Sequence, residues 1–160
     1  MPQQNNSQYD LLLIGAASGI AGIITKDLLE LLVLLFMPTF STCPQLAAGI
    51  VLNPKQAKES ILPLIGLEID LAVGIIVGII VVLALTRFGF DHWMLKGIVL
   101  GLLAWTIIEV TLANYLSSIP MTTSVLAWEI SLLIHFIYGM IVVGAQRAFL
   151  KEANNKRRRD

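Results

Sequence analysis

The stretch Gly19–Phe36, GIAGIITKDLLELLVLLF, has the composition of a membrane-spanning helix but carries Lys26, Asp27 and Glu30 near its middle. On the scale for insertion into a bilayer, each such charge at a helix centre costs about 2.5–3.5 kcal/mol, whereas each Leu, Ile, Val or Phe returns about 0.3–0.6 kcal/mol. The whole apolar segment Leu11–Met37 contains fifteen such residues, so as an isolated helix it is close to break-even. We expect the three ionisable side chains to face other helices rather than lipid.

The composition of the whole chain is that of a polytopic membrane protein. Of its 160 residues, 56% are hydrophobic and only 14% are charged, against about 25% charged residues in a soluble domain. A bilayer is crossed by roughly 20 helical residues. We therefore predict an all-α fold, a four-transmembrane-helix bundle whose spans are about Leu11–Met37, Leu67–Thr86, Leu95–Leu116 and Val125–Ala145.

The segments around these spans define the expected domain organisation. Residues 11–146 form a single membrane domain, preceded by a polar segment, 1–10, and followed by a basic tail, 147–160, expected to be disordered from Asn154 onward. Residues 38–66 form a long outer loop. Residues 1–10 contain no Lys or Arg, so they lack the positive start of a signal peptide, and we expect the first span to be retained. A single cysteine, Cys43, excludes an internal disulfide framework.

The positions of Lys and Arg predict the orientation of the bundle, because cytoplasmic loops are enriched in both. Arg87 and Lys96 flank the link between the second and third spans, whereas Lys55 and Lys58 in the first loop argue weakly in the opposite sense. Six basic residues follow the fourth span and outnumber the two lysines of the first loop, so we place both termini in the cytoplasm. These six are Arg147, Lys151, Lys156, Arg157, Arg158 and Arg159.

This orientation collects the acidic residues of the spans on one side of the membrane. Depth in the membrane is estimated from the helical rise of 1.5 Å per residue. Six acidic residues then lie between the midplane and the outer surface: Asp27, Glu30, Glu68, Asp70, Glu109 and Glu129. His135 lies deeper, near the middle of the fourth span, and shares a helix face with Ser131. It is a candidate proton carrier or metal ligand, although a lone histidine satisfied within the core is the favoured interpretation.

Glycines at every fourth position indicate which face of each helix is buried, because close helix contacts in lipid favour small residues. Such pairs begin at Gly15 in the first span, Gly74 in the second and Gly97 in the third. When the three glycine faces are continued by helical steps, they include charged or aromatic residues of the same spans: Lys26, Glu30, Asp70, Trp105 and Glu109.

From these positions we predict an acidic cleft that opens outward. The residues expected to bind an ion or exchange a proton are Asp27, Glu30, Glu109, Glu129 and His135, with Lys26, Glu68, Asp70 and Trp105 in supporting positions. Intramembrane acids usually mark such paths, which favours a cation- or proton-linked transport or channel component. One alternative is a non-catalytic accessory or scaffold subunit in which these groups are paired struts. Another is a membrane-embedded metal-dependent lipid enzyme.

The sequence has no phosphate-binding loop, no evident nucleophile–base pair and no histidine cluster with metal-ligand spacing, so we favour a protein that is not an enzyme. No cofactor is evident, although a bound cation is compatible with the acids, and the identity of any metal is undetermined. We expect the lipid bilayer as one partner, and either a homo-oligomer or a partner membrane subunit, but no nucleic acid. Lys156–Arg159 could contact anionic lipid, but a topology-setting tail explains these residues.

The fourth span contains the stretch His135–Gly144, HFIYGMIVVG, followed by Arg147, and the first span opens with a glycine-rich stretch, Gly15–Gly22. Together with the long first outer loop, this layout resembles a loose group of small four-span proteins of bacterial inner membranes, the DUF1440-like and YqhR-like proteins. The resemblance implies a four-helix fold in a bacterial cytoplasmic membrane. It implies no activity and no catalytic residues.

Overall fold

A computed structural model describes residues 4–52, 62–117 and 124–157, and every regular element within them is helical. The middle of the predicted outer loop and most of the link between the third and fourth spans lie outside the described residues. The elements are α1 (Gln4–Phe36), α2 (Cys43–Val51), α3 (Leu62–Phe88), α4 (Trp93–Trp105), a π-helix (Thr106–Ala113), α5 (Asn114–Leu116) and α6 (Val125–Arg157).

Three of the described helical stretches are long and apolar enough to cross a membrane: Pro63–Phe88, Trp93–Leu116 and Val125–Ala153. These stretches agree with the second, third and fourth predicted spans. The chain is thus a helical membrane protein. The first predicted span lies within α1, a helix of 33 residues that begins inside the predicted polar segment. The helix α6 continues to Arg157, so the start of the tail, predicted to be disordered, is helical instead.

The long helices pack in the order α3, α1, α6, α4, and the glycine stripes lie at the contacts between them. Gly15 and Gly19 of α1 lie against α3, where a Cβ placed on Gly15 would be 2.7 Å from the Cα of Ile79. Gly97 of α4 lies against α6, where a Cβ would be 2.7 Å from the Cα of Met140. The predicted packing role of these glycines is confirmed.

The short helix α2 lies across one end of the bundle, here named the α2 end, where it packs on α3 and on the π-helix. Its start has a capping box: the Gln45 N–H donates to the Thr42 side chain, and the Thr42 N–H donates to the Gln45 side chain at 3.1 Å. These bonds satisfy backbone groups that a helix start otherwise leaves unpaired. The sequence analysis assigned this segment to a loop.

The opposite end, here named the turn end, contains the tight connection between α3 and α4. Gly89 and His92 both have left-handed backbone conformations there, with φ of 78° and 52°. The Lys96 side chain donates to the Gly89 carbonyl at 2.8 Å, which satisfies a carbonyl near the end of α3. Arg147 of α6 lies over the Trp93 ring at 5.9 Å, so the basic residues near this end take part in its packing.

Candidate functional site

Three charged residues of α1, Lys26, Asp27 and Glu30, form a buried ion-pair group at the α2 end. The Lys26 Nζ lies 2.7 Å from a carboxylate oxygen of Asp27, 2.7 Å from one of Asp70 on α3 and 3.4 Å from one of Glu30. Exposed fractions are 2% for Lys26, 1% for Glu30 and 4% for Asp70. The prediction that these side chains face other helices is confirmed, and Asp70, predicted as a supporting residue, is Lys26's partner from a second helix.

Asp27 departs from its expected geometry. A rotation of about 100° from Lys26 along the helix predicts that Asp27 meets another helix, an ion or a proton, but the flexible Lys26 side chain bends toward it and pairs with its Oδ1. The other oxygen, Oδ2, is buried and has no hydrogen-bond partner. A buried carboxylate oxygen without a hydrogen-bond partner costs free energy. Within the ion-pair group, Oδ2 of Asp27 is therefore the atom that most needs a further partner.

Glu30 connects the ion-pair group to α2. Its Oε2 accepts a hydrogen bond of 2.8 Å from the backbone N–H of Cys43, the first residue of α2. A carboxylate at a helix N-terminus satisfies a free N–H and interacts favourably with the helix dipole. The contact fixes α2 over the bundle and brings the Cys43 side chain into the interior, where it is 3% exposed.

A second group of ligating side chains meets beside the first. The Cys43 Sγ lies 3.3 Å from Glu109 Oε1 and 3.8 Å from His135 Nε2. The Ser131 hydroxyl donates to Glu109 Oε2 at 2.6 Å, and His135 Nδ1 lies 2.9 Å from the Ser131 carbonyl oxygen. A carbonyl only accepts, so Nδ1 carries the proton, and in the neutral imidazole the Nε2 lone pair faces the cysteine.

Glu109 reaches this group from the π-helix Thr106–Ala113. The wider turn is visible in the Thr111 hydroxyl, which donates to the Thr106 carbonyl five residues earlier at 3.0 Å. Glu109 is 3% exposed, whereas its neighbour Ile107 is 54% exposed. Short π-helical stretches are frequent at functional sites, and here the irregular segment supplies a buried carboxylate.

Three of the predicted site residues lie apart from these two groups. Glu129 is exposed, because it is two residues before the inward-facing Ser131 and therefore projects from nearly the opposite side of α6. Glu68 is likewise exposed, two residues before the buried Asp70. Trp105 packs edge-to-face on Trp128, with ring centroids 5.6 Å apart. The expected cleft thus lacks Glu129 and Glu68.

Sequence reasoning missed Cys43 as a member of the site, and it found no set of metal-ligating residues because residues 43, 109 and 135 come from distant segments. The available signal was Thr42-Cys43-Pro44-Gln45, which has the Thr-x-x-Gln pattern of a capping box. Recognising it would have placed Cys43 in the first turn of a helix. Nothing in the sequence shows which neighbours that helix meets.

Two cavities reach the buried groups from different sides of α2. One, of about 280 Å³, is lined by Asp27 and Glu30 together with Thr42 and Gln45. The other is an apolar groove of about 400 Å³ between α3 and α4, which Cys43 and Asp70 line at one end. Ile80 and Leu103 line the groove and are more than half exposed, so it opens on the surface that lipid would cover.

The two groups together bury more acid than base. Lys26 meets the carboxylates of Asp27, Glu30 and Asp70, and Glu109 lies in the adjoining group, with no second cation ion-paired to them in the described parts of the chain. Burial, reinforced by the neighbouring Glu30 carboxylate, raises the pKa of the Cys43 thiol well above its ordinary value. The thiol is therefore no ready nucleophile, since reactivity requires the thiolate.

These surroundings suit the binding of positive charge more than nucleophilic chemistry. Four carboxyl groups with one ammonium can be accommodated away from water by protons or by a bound cation. Comparison of the chain with models of known protein families, with curated proteins and with solved structures gave no match.

Proposed function

We propose that this protein is a four-span membrane protein that binds and exchanges a cation or a proton at the α2 end, as a component of a transport or channel assembly. The observation that carries the proposal is the charge imbalance around Lys26, which is the one cation paired within the described cluster. An uncompensated buried charge costs several kcal/mol. A protein gains by relieving that cost with an exchangeable proton or ion, and intramembrane acids typically serve this purpose.

The surface of α1 supports its inclusion as a fourth span. Ile24, Leu28, Leu31 and Leu35 follow one another at helical spacing and are 52%, 62%, 55% and 77% exposed. Such a stripe is unfavourable in water but suited to lipid. Because Lys26 and Glu30 are buried on the opposite side of the same helix, the charges that weaken it as an isolated span do not face the bilayer.

Access to the cluster supports exchange rather than a purely structural role. An accessory or scaffold subunit would be expected to have a dry interior with every polar group paired. Here Asp27 Oδ2 lacks a partner, and its residue lines a cavity of about 280 Å³. An ion or a proton carried by water could therefore reach the carboxylates without unfolding of the helices.

The placement of the protein in the cell follows from its basic residues. Arg147 and Lys151 lie on α6 toward the turn end, and the positive-inside rule assigns that end, with both termini, to the cytoplasm. The α2 end then faces outward. The likeness to small four-span proteins suggests a bacterial inner membrane, and the groove left between α3 and α4 suggests a second copy or a partner subunit that completes the assembly.

Flux measurements on the full chain in proteoliposomes test the proposal. We expect cation- or proton-driven flux in the wild type and a loss of at least about tenfold in Asp27→Asn and Glu109→Gln, since each removes an exchangeable charge. Glu129→Gln is the matched control because it removes an exposed carboxylate, and it should leave flux unchanged. Wild-type flux in both Asp27→Asn and Glu109→Gln would refute the proposal.

The apolar groove supports a second candidate, a membrane-embedded metal-dependent enzyme that acts on lipid. The groove opens on the lipid-facing surface and ends at Cys43, beside Glu109 and His135. An acyl chain in the groove would place its polar end near ligands that could hold a metal. Turnover of a lipid by the purified protein, lost in His135→Ala, would favour this candidate over transport.

A further inference from the structure

The side chains of Cys43, Glu109 and His135 meet with ligand atoms that all lie within 4.8 Å of one another. The geometry points to a binding site for a divalent transition metal of the zinc class, formed by Cys43 Sγ, a Glu109 carboxylate oxygen and His135 Nε2. The three residues come from three separate helical segments, and each is buried. This inference does not depend on transport, because a metal could be bound here whether or not the neighbouring carboxylates exchange ions.

Two of the three distances between the ligand atoms are close to those of tetrahedral coordination. Zinc binds sulfur at about 2.3 Å and nitrogen or oxygen at about 2.0–2.2 Å, which in a tetrahedron separates neighbouring ligands by roughly 3.3–3.7 Å. The Cys43 Sγ lies 3.3 Å from Glu109 Oε1 and 3.8 Å from His135 Nε2. The Glu109 and His135 ligand atoms lie within 4.8 Å of each other, so a metal could enter with a combined movement of these two side chains of at most about 1–1.5 Å.

The group has more hydrogen-bond acceptors than protons to satisfy them, which favours a bound cation. One thiol proton on Cys43 faces two acceptors, Glu109 Oε1 and His135 Nε2, and can satisfy only one of them. A bound cation that displaces this proton satisfies the thiolate, the carboxylate and the imidazole at once. It also adds positive charge next to Glu30, whose carboxylate adjoins the Cys43 backbone.

Surrounding hydrogen bonds orient two of the three ligands. Ser131 accepts from His135 Nδ1 through its carbonyl and donates to Glu109 Oε2 through its hydroxyl. Metal-binding histidines usually have such a partner on the second nitrogen, which fixes the tautomer. Sulfur, nitrogen and oxygen together suit zinc better than magnesium or calcium, which prefer oxygen alone.

Three protein ligands leave the fourth tetrahedral position open, as in zinc sites that bind water or substrate. Cys43 also lines the apolar groove between α3 and α4, so the three-residue group adjoins a space of about 400 Å³. A structural zinc site would instead be closed by a fourth side chain. The expected stoichiometry is one metal ion per chain.

Metal binding by the full chain, purified in detergent and stripped with a chelator, tests the inference. After addition of Zn²⁺ and removal of the excess, elemental analysis should find one zinc per wild-type chain. Competition with a chromophoric chelator should show affinity reduced more than about 100-fold in Cys43→Ser and His135→Ala, and about 10–100-fold in Ser131→Ala, which removes a support for Glu109. Glu129→Gln should bind as the wild type does.

Replacement of zinc by Co²⁺ gives a second measurement that needs no variant to fold. The wild type loaded with Co²⁺ should show the absorption of a tetrahedral, thiolate-bound ion. Absence of that absorption, or wild-type zinc affinity in Cys43→Ser, would overturn the site. The flux assay also uses Asp27→Asn, which changes a residue that is not one of the three proposed metal ligands. Failure of the metal site and failure of the transport proposal therefore give separate results.

Discussion

The two ends of the bundle bury polar groups in different ways. Toward the turn end, the Gln146 side chain donates to Ser18 Oγ at 3.0 Å and to the Gly78 carbonyl at 2.8 Å, and Ser18 donates to the Gly15 carbonyl at 2.8 Å. Every group in that network is neutral. Toward the α2 end, the buried groups include charged side chains, and the carboxylates of Asp27, Glu30 and Asp70 outnumber the cation Lys26.

This difference separates polar groups that hold helices together from buried charges that require a further partner, such as a proton or a bound cation. Neutral side chains at glycine-packed contacts add modest stability in a membrane, on average about 0.6 kcal/mol for each hydrogen bond. Buried charges cost several kcal/mol each before pairing, so helix packing alone is a weak reason to keep four carboxyl groups together. The α2 end is accordingly where we place binding, and the turn end is where we place packing.

The largest effect is expected from Lys26→Met at the α2 end. The substitution leaves Asp27, Glu30 and Asp70 without their shared cation, and removing one partner of a buried ion pair costs about 3–5 kcal/mol. The free energy of unfolding in mixed micelles measures this loss. Lys151→Met, which removes an exposed lysine from α6, should be neutral, and a Lys26→Met protein as stable as that control would contradict the ion-pair description.

At the turn end, the corresponding test changes packing rather than charge. A Cβ on Gly19 would contact the Gly74 backbone carbonyl, whereas a Cβ on Gly144 would lie 3.1 Å from an atom of the Trp93 ring. Overpacking that forces a backbone shift costs about 1–3 kcal/mol, so Gly19→Ala should lower the free energy of unfolding by that amount. Gly144→Ala should have the smaller effect, and the reverse ranking would show that α1 and α3 are not in backbone contact.

Thr42→Ala is expected to loosen α2 without unfolding the bundle. Loss of a helix N-cap costs about 1 kcal/mol, which corresponds to roughly a fivefold rise in the population of the opened α2 end. The rate at which Cys43 reacts with a maleimide should rise by about that factor. Thr25→Ala removes a hydroxyl that bonds within α1, and it should leave the rate unchanged. Equal rates in all three proteins would contradict the capped, docked position of α2.

An effect about as small as that of Thr42→Ala is expected from Gln146→Leu at the turn end. It removes two neutral hydrogen bonds and should lower the free energy of unfolding by about 0.6–1.7 kcal/mol. It should leave flux at the α2 end as it is in the wild type. A loss of flux as large as that of Asp27→Asn would show that the two ends do not have the separate roles assigned to them.

The sequence was sufficient for the glycine contacts between the helices and only partly for the α2 end. Glycine spacing in Gly15–Gly22 predicts a helix contact because small residues are needed wherever backbones meet, whatever lies opposite. Lys26 and Glu30 were placed in the interior by the same stripe. These inferences use only the repeat of one helix, which the sequence displays directly.

The remaining features of the α2 end depend on neighbours that a single helix does not reveal. Helical periodicity alone places Glu129 on nearly the opposite side of the helix from Ser131, two residues later. We included Glu129 in the predicted cleft because of its depth in the membrane alone. The π-helix around Glu109 contacts α2, and Glu109 bonds to Ser131 of α6, but this helix has no evident sequence pattern. The meeting of Cys43 with His135 joins residues far apart in the chain, so it follows from the fold and not from spacing.

The most direct test of the central claim is infrared difference spectroscopy of the full chain in lipid, which reports the protonation and cation binding of buried carboxyl groups. On a change of pH or addition of a cation, the wild type should show altered carboxyl stretching bands that are reduced in Asp27→Asn and Glu109→Gln and retained in Glu129→Gln. Wild-type difference spectra in both Asp27→Asn and Glu109→Gln would mean that the buried acids exchange nothing, and would contradict the account.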